Sequence, residues 1–171
     1  MSRRFARRGE AIVVTLSASE RDLLAAWVPE QLRTVYESDD DDEPARNRLF
    51  PVAYLDPTEE DAETEWRALV YPELLRARLD ALERVVGTVG SAEPGRRGAV
   101  VVELGPDDVS ALLGVLNDAR LALGTVLGVS DDSELGNRDP DDPTGQAEMI
   151  YLWLTHLEGE LIDTLLEEIP D

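Results

Sequence analysis

The apolar residues near the end of the chain recur every three or four positions, which is the spacing of one face of an α-helix. This stripe runs through Ile150, Trp153, Leu154, Leu157, Leu161 and Leu165. Because the period persists over several turns, it predicts a helix from about 145 to 167. A helix with one apolar face must bury that face against other elements. The chain is therefore expected to fold around packed helices.

Two short segments, by contrast, are rich in the β-branched residues typical of strands. They are residues 10–16 and 99–104. Each precedes a helix-start signal: Ser17 and Glu20 have the spacing of a capping box, and Gly105 leads into Pro106. Two strand–cap–helix units 88 residues apart suggest an internal repeat whose strands pair under the helices. Chance likeness between short β-rich segments is the alternative.

Prolines divide the remaining helical pattern. Pro29 either kinks the first helix or begins a second one, and Pro72 separates a helix capped by Asp56 from a clearer helix over 75–86. A further helix is predicted over 107–127. The predicted fold is mainly α: a single compact domain of five or six helices with a small two-stranded β-sheet.

The charge distribution predicts the domain organisation. Residues 1–8 form a basic, flexible tip, and 9–171 form a single helical domain with acidic loops at 37–47 and 129–144. The net charge of the whole chain is −21. Taking the four tip residues from the 16 arginines leaves 12 against 37 acids, a net charge of −25. Such a body repels phosphate, so direct DNA binding is expected to be weak or partner-dependent. The candidate phosphate or partner contacts are Arg3, Arg4, Arg7 and Arg8.

The composition excludes several kinds of chemistry. With no cysteine and one histidine, the chain lacks the thiolates and imidazoles of most transition-metal sites. His156 has Glu160 at i+4 and is expected at the surface. We predict no catalytic, cofactor-binding or metal-binding residue, and no enzyme activity. Because no apolar run approaches a membrane span and no signal peptide is evident, we expect a cytoplasmic chain with no membrane contact.

Arg120 is the charged residue that helical spacing places on an apolar face. That face comprises Val109, Leu113, Leu116, Leu123 and Leu127. Three arrangements remain open: a buried ion pair with an acid from another element, a solvent-open pocket for a partner's acidic group, or a stem that reaches to the surface. In the first arrangement, Arg120→Ala should cost about 3–5 kcal/mol.

Three motifs carry a resemblance to a known family. They span residues 48–54, 116–124 and 151–154 and contain the candidate structural or partner-contact residues Arg48, Tyr54, Asn117 and Arg120. With these motifs, nearly the whole chain resembles the actinobacterial oxidative stress regulator family, long described as a domain of unknown function. The resemblance implies a transcription-associated regulator of redox homeostasis that acts through protein contacts, such as a stress sigma factor. The disulfide switching associated with that family has no cysteine to use in this chain. The alternative is a non-catalytic protein-binding adaptor with no transcriptional role.

Overall fold

The structure is a computed structural model that describes residues 3–167. The first two residues of the predicted tip and the last four of the predicted domain lie outside that range. The strands are β1 (Phe5–Arg8), β2 (Ala11–Ser17) and β3 (Ala99–Leu104). The helices are α1 (Ala18–Asp22), α2 (Val28–Tyr36), α3 (Pro44–Leu49), α4 (Glu60–Gly90), α5 (Pro106–Leu127) and α6 (Pro143–Leu166).

The predicted mainly α architecture is confirmed. A π-helical turn over Leu23–Trp27 joins α1 directly to α2, so residues 3–167 contain five separate helices. The two predicted strands pair with each other, Ile12 opposite Leu104 and Leu16 opposite Val100. Their pairing is antiparallel, and the predicted capping box of Ser17 and Glu20 starts α1.

The sheet has three strands, so the prediction of two is wrong. Strand β1 pairs with β2 in the order β1-β2-β3, with Phe5 opposite Val14. Residues 5–8 therefore form an edge strand within the segment predicted as a basic, flexible tip. The local sequence did not indicate this strand, because it has a single large apolar residue, Phe5. That residue is buried by contacts with the rest of the fold.

The proline at position 72 does not end a helix, contrary to the prediction. Helix α4 runs through Pro72, whose exposed ring lies between Tyr71 and Leu75, and both of these pack against the core. That packing compensates for the backbone hydrogen bond that proline cannot make. Pro29 follows the π-helical turn, in which the Val28 N–H bonds to the Leu23 carbonyl. This wider turn carries the helix past the proline.

The two acidic loops are shorter than predicted. Residues 44–47 belong to α3, and α6 begins at Pro143. The Glu43 carboxylate accepts the backbone N–H groups of Ala45 and Arg46, which caps α3 with Pro44 in its first turn. The acidic segment therefore ends in a helix start at Glu43.

Helix α5 lies at the centre of the packing. It contacts α2, α3, α4, α6 and β3, and Leu112 and Leu116 are fully buried. Among the helices of residues 3–167, only α5 is long and apolar enough to cross a membrane, and half of its most apolar window is buried within the fold. The central position of α5 brings polar residues from several elements together.

Candidate functional site

Three polar side chains from three helices meet inside the protein. Asp118 on α5 is 6% exposed, and its Oδ2 atom accepts the hydroxyl of Tyr36 on α2 and pairs with the guanidinium of Arg78 on α4. Arg78 also donates to the Leu49 carbonyl at 3.0 Å. Its Cζ lies 4.9 Å from the ring centroid of Phe50. We call Tyr36, Arg78 and Asp118 the buried ionic cluster; it links four helices.

The surroundings of Tyr36 and Arg78 hold each of these two groups in one protonation state. Burial raises the pKa of Tyr36 far above its usual range, and the negative charge of Asp118 adds to that rise. Burial alone would lower the pKa of Arg78, but its hydrogen bond and attraction to Asp118 raise it. Tyr36 is thus a neutral donor and Arg78 a cation at neutral pH. Neither group readily gains or loses a proton near neutral pH. This behaviour is typical of side chains that hold helices together and do not take part in proton transfer.

The sequence pattern missed this cluster. It directed attention to Arg120, whereas Asp118 lies on a side of α5 that α4 covers. One signal was present: Arg78 lies three residues after Leu75 and four before Leu82, on the apolar face of α4. Opposite charges on two apolar helix faces are a reason to expect a buried pair.

Arg120 pairs with an acid from another helix. Its Nε atom lies 2.9 Å from Oε2 of Glu158 on α6, and its Nη2 donates to Oδ1 of Asn117 at 3.4 Å. The Nε–H is not directed at the carboxylate, so the contact with Glu158 is a charge pair without an aligned hydrogen bond. The Arg120 side chain is 32% exposed and that of Glu158 is 12% exposed. The arrangement is an ion pair between α5 and α6 with one edge open to solvent.

This partial exposure lowers the expected cost of removing Arg120. Arg120→Ala should reduce the free energy of unfolding by about 1–2 kcal/mol, because Glu158 loses its counter-charge but retains some access to water. Urea melts measure the loss. Arg48→Ala is the matched control, since Arg48 is exposed and makes no ion pair within residues 3–167; it should change stability by less than about 0.5 kcal/mol. Equal effects of the two substitutions would contradict the pairing.

The other two motif residues lie at the surface. Tyr54 is 41% exposed, and its backbone N–H donates to Oε2 of Glu63 at 2.9 Å. Arg48 is exposed on α3. Within residues 3–167, no hydrogen bond or ion pair joins either of them to Asn117 or Arg120. The four motif candidates therefore do not converge on one polar site.

Each of the four arginines of the predicted tip contacts an acidic side chain or a backbone carbonyl in the rest of the chain. Arg4 pairs with Glu20 and, at 3.3 Å, with Glu160. Arg7 donates to the carbonyls of the last turn of α6, at 3.4 Å from Thr164 and 3.2 Å from Leu165. Arg3 pairs with Glu167, and Arg8 lies 3.6 Å from Glu103. Only Arg3 and Arg8, each 74% exposed, present much of their side chains to solvent.

Glu20 joins the first strand to the last helix. Its carboxylate accepts the Ser17 backbone N–H at 2.8 Å, the Trp153 indole N–H at 3.0 Å and the Arg4 guanidinium. Burial would raise the pKa of Glu20, but these three donors outweigh it and lower the pKa. A single carboxylate thus caps α1 and holds both Arg4, which directly precedes β1, and Trp153 of α6.

Comparison with known proteins identifies the family. The family described as "Domain of unknown function (DUF2017)" matches residues 2–165. The chain belongs to that family. Curated relatives named Oxidative stress regulator AosR, from Mycobacterium bovis and from two strains of Mycobacterium tuberculosis, are 31% identical to it over 140 residues. No solved structure matches.

The match confirms the resemblance to the oxidative stress regulator family. It covers 72% of this chain, and the chain spans 59% of the length of the curated relatives. The matched range of DUF2017 contains the buried ionic cluster, the Arg120–Glu158 pair and the arginines of β1. These contacts therefore lie within the part of this chain that the family matches.

The part of this DUF2017 domain that the structure describes holds no group of three or more histidine, cysteine or acidic residues able to bind a metal ion. His156 lies at the surface, as predicted, with its Nε2 atom 3.5 Å from Glu160 and 67% of its side chain exposed.

Proposed function

We propose that this chain is a transcription-associated regulator of stress and redox homeostasis that acts mainly through protein contacts, such as contact with a sigma factor. The observation that carries the proposal is its similarity, over 72% of its length, to proteins named oxidative stress regulators. We further propose that it acts without catalysing a reaction. The buried ionic cluster supports that view, because Tyr36 and Arg78 both bond to Asp118 and are engaged with that residue.

The charge of the chain supports a protein partner in preference to DNA. A net charge of −21 repels a polyanion and attracts basic protein surfaces. The cations nearest the N-terminus are already engaged, since Arg4 and Arg7 bond to groups of the body. Few unopposed cations therefore remain for phosphate in the N-terminal region.

The proposal can be tested by capturing the tagged chain from its own host under oxidative stress and identifying the bound proteins by mass spectrometry. We expect a sigma factor or polymerase subunits, and we expect deletion of the gene to alter the stress transcriptome. If the captured partners are unrelated to transcription and the transcriptome is unchanged, the chain is instead an adaptor without a transcriptional role.

The purified chain should bind duplex DNA weakly or not at all at physiological salt. Any residual binding should be lost in the variant Arg3→Ala/Arg8→Ala, which removes the two most exposed arginines of the N-terminal region. Deleting residues 1–8 is a poorer test because it would also remove strand β1. A gel-shift assay measures binding, and tight sequence-selective binding by the chain alone would contradict the proposal.

Mild thiol oxidants should leave the fold and partner affinity of this chain unchanged, because it has no cysteine to form a disulfide. Circular dichroism and partner binding before and after treatment check this expectation. An oxidant effect that thiol reductants reverse would show that sensing does involve thiol chemistry, supplied by another molecule.

A further inference from the structure

An open apolar groove lies between α2, α5 and α6. Its volume is about 270 Å³, and small residues of α5 and α6, Ala119, Ala122 and Ala147, leave room between larger walls. Leu32 and Val35 line the α2 side. Val126 lines the α5 side of the groove and is 73% exposed although it is apolar. The groove is thus an accessible apolar surface bordered by helices.

The border of the groove is acidic. Its one charged lining residue is Glu43, the last of six acids in residues 37–43. The four aspartates that precede Glu43 are all exposed. In the sequence, the exposed acids Asp131 and Asp132 follow Val126 by five and six residues. No lysine or arginine lines the groove. An apolar surface with an acidic border is complementary to an apolar surface with a basic border.

We propose that this groove receives the apolar face of a basic amphipathic helix from a partner protein. The inference rests on the proposed function and names the partner's chemistry. Apolar walls formed by helices suit a partner helix that inserts side chains at i, i+4 and i+7. The groove volume of about 270 Å³ accommodates a few inserted side chains. It is smaller than the volume of pockets that typically bind drug-sized ligands. A second copy of the chain is disfavoured because each copy carries a net charge of −21.

Three synthetic peptides of about 18 residues, long enough for several helical turns, test the chemistry of the occupant. The first has leucine at i, i+4 and i+7 with lysine on the other face. The second keeps the leucines but replaces lysine with glutamate, and the third keeps the lysines but replaces leucine with alanine. Fluorescence anisotropy with the full chain should show binding of the first peptide alone, weakening as salt is raised. Equal binding of the alanine peptide would overturn the inference, since charge alone would then suffice.

A pair of matched variants locates the site. Val126→Arg places a cation at the groove and should weaken binding of the leucine–lysine peptide about tenfold or more. Val101→Arg makes the same change on β3, outside the groove, at a residue that is 60% exposed; its effect should be within about twofold. Thermal melts verify that both variants fold. Equal losses, or no loss in Val126→Arg, would overturn the assignment.

Neutralising the acidic border tests the charge complementarity. The triple variant Asp40→Asn/Asp41→Asn/Asp42→Asn should bind the leucine–lysine peptide several-fold more weakly and with less salt dependence. The control neutralises three acids at the start of α4: Glu59→Gln/Glu60→Gln/Asp61→Asn. If the two triple variants lose affinity equally, the peptide responds to net charge and the border has no special role, which contradicts the proposal.

Failure of this inference can be told apart from failure of the proposed function. If Val126→Arg supports a normal stress transcriptome in the host, the groove assignment is wrong while the regulatory role stands. If deletion of the gene leaves the transcriptome unchanged, the regulatory role is wrong whatever the peptides do. Sedimentation velocity adds a check on the occupant: a dimer that Val126→Arg abolishes would assign the groove to a second copy and overturn the proposal.

Discussion

Replacing Asp118 with leucine should lower the free energy of unfolding by about 2–4 kcal/mol, since Arg78 is 28% exposed and retains some access to water. The substitution leaves the Arg78 cation beside two aromatic rings without its counter-charge and deprives the Tyr36 hydroxyl of its acceptor. Asp118 is itself 6% exposed, so water cannot readily take the place of its carboxylate. Urea denaturation followed by circular dichroism measures the loss.

A double-mutant cycle separates the ionic contribution from simple loss of packing. The variant Arg78→Met/Asp118→Leu removes both charges, so it should be less destabilised than Asp118→Leu alone. Arg78→Met by itself should also be strongly destabilised, because it strands the buried carboxylate. If the double variant loses the sum of the two single effects, the residues do not interact and the buried ionic cluster is misassigned.

The substitution Gly145→Ala should lower the free energy of unfolding by about 2–3 kcal/mol. A Cβ atom at this position would lie 1.9 Å from the Asp139 carbonyl oxygen and 2.7 Å from its carbon. The loop cannot move aside freely, because the buried Glu148 carboxylate holds the Gly136 N–H and lies 2.8 Å from Nε of Arg138. Thermal and urea melts measure the stability, and hydrogen exchange should show faster exchange in residues 129–142.

Gly159→Ala is the control for this experiment. Gly159 lies in the same helix, is exposed and has no atom within 4 Å of the position that a Cβ would take. Alanine there should stabilise the helix by about 0.5–1 kcal/mol. If Gly145→Ala were equally harmless, the loop would not be seated against the first turn of α6 as the structure has it.

Helices α1, α2, α5 and α6 and two of the strands could be predicted because their signals are local. The stripe from Ile150 to Leu165 predicted α6, and the capping box of Ser17 and Glu20 predicted the start of α1. The pairing of His156 with Glu160 followed in the same way from helical spacing. In each case the interacting residues lie within four positions of one another, so the sequence shows both partners at once.

Long-range contacts settled the features that the sequence left open or predicted wrongly. Helix α4 passes Pro72 because its neighbours pack on the core, and β1 is a strand because β2 lies beside it.

The buried ionic cluster belongs to the same class of feature. Tyr36 and Asp118 are 82 positions apart, and Arg78 is 40 positions from Asp118. The apolar groove likewise exists only where α2, α5 and α6 come together. Local preferences are worth a fraction of a kcal/mol per residue, whereas burying or breaking such contacts involves several. Packing therefore overrides the local pattern at these positions.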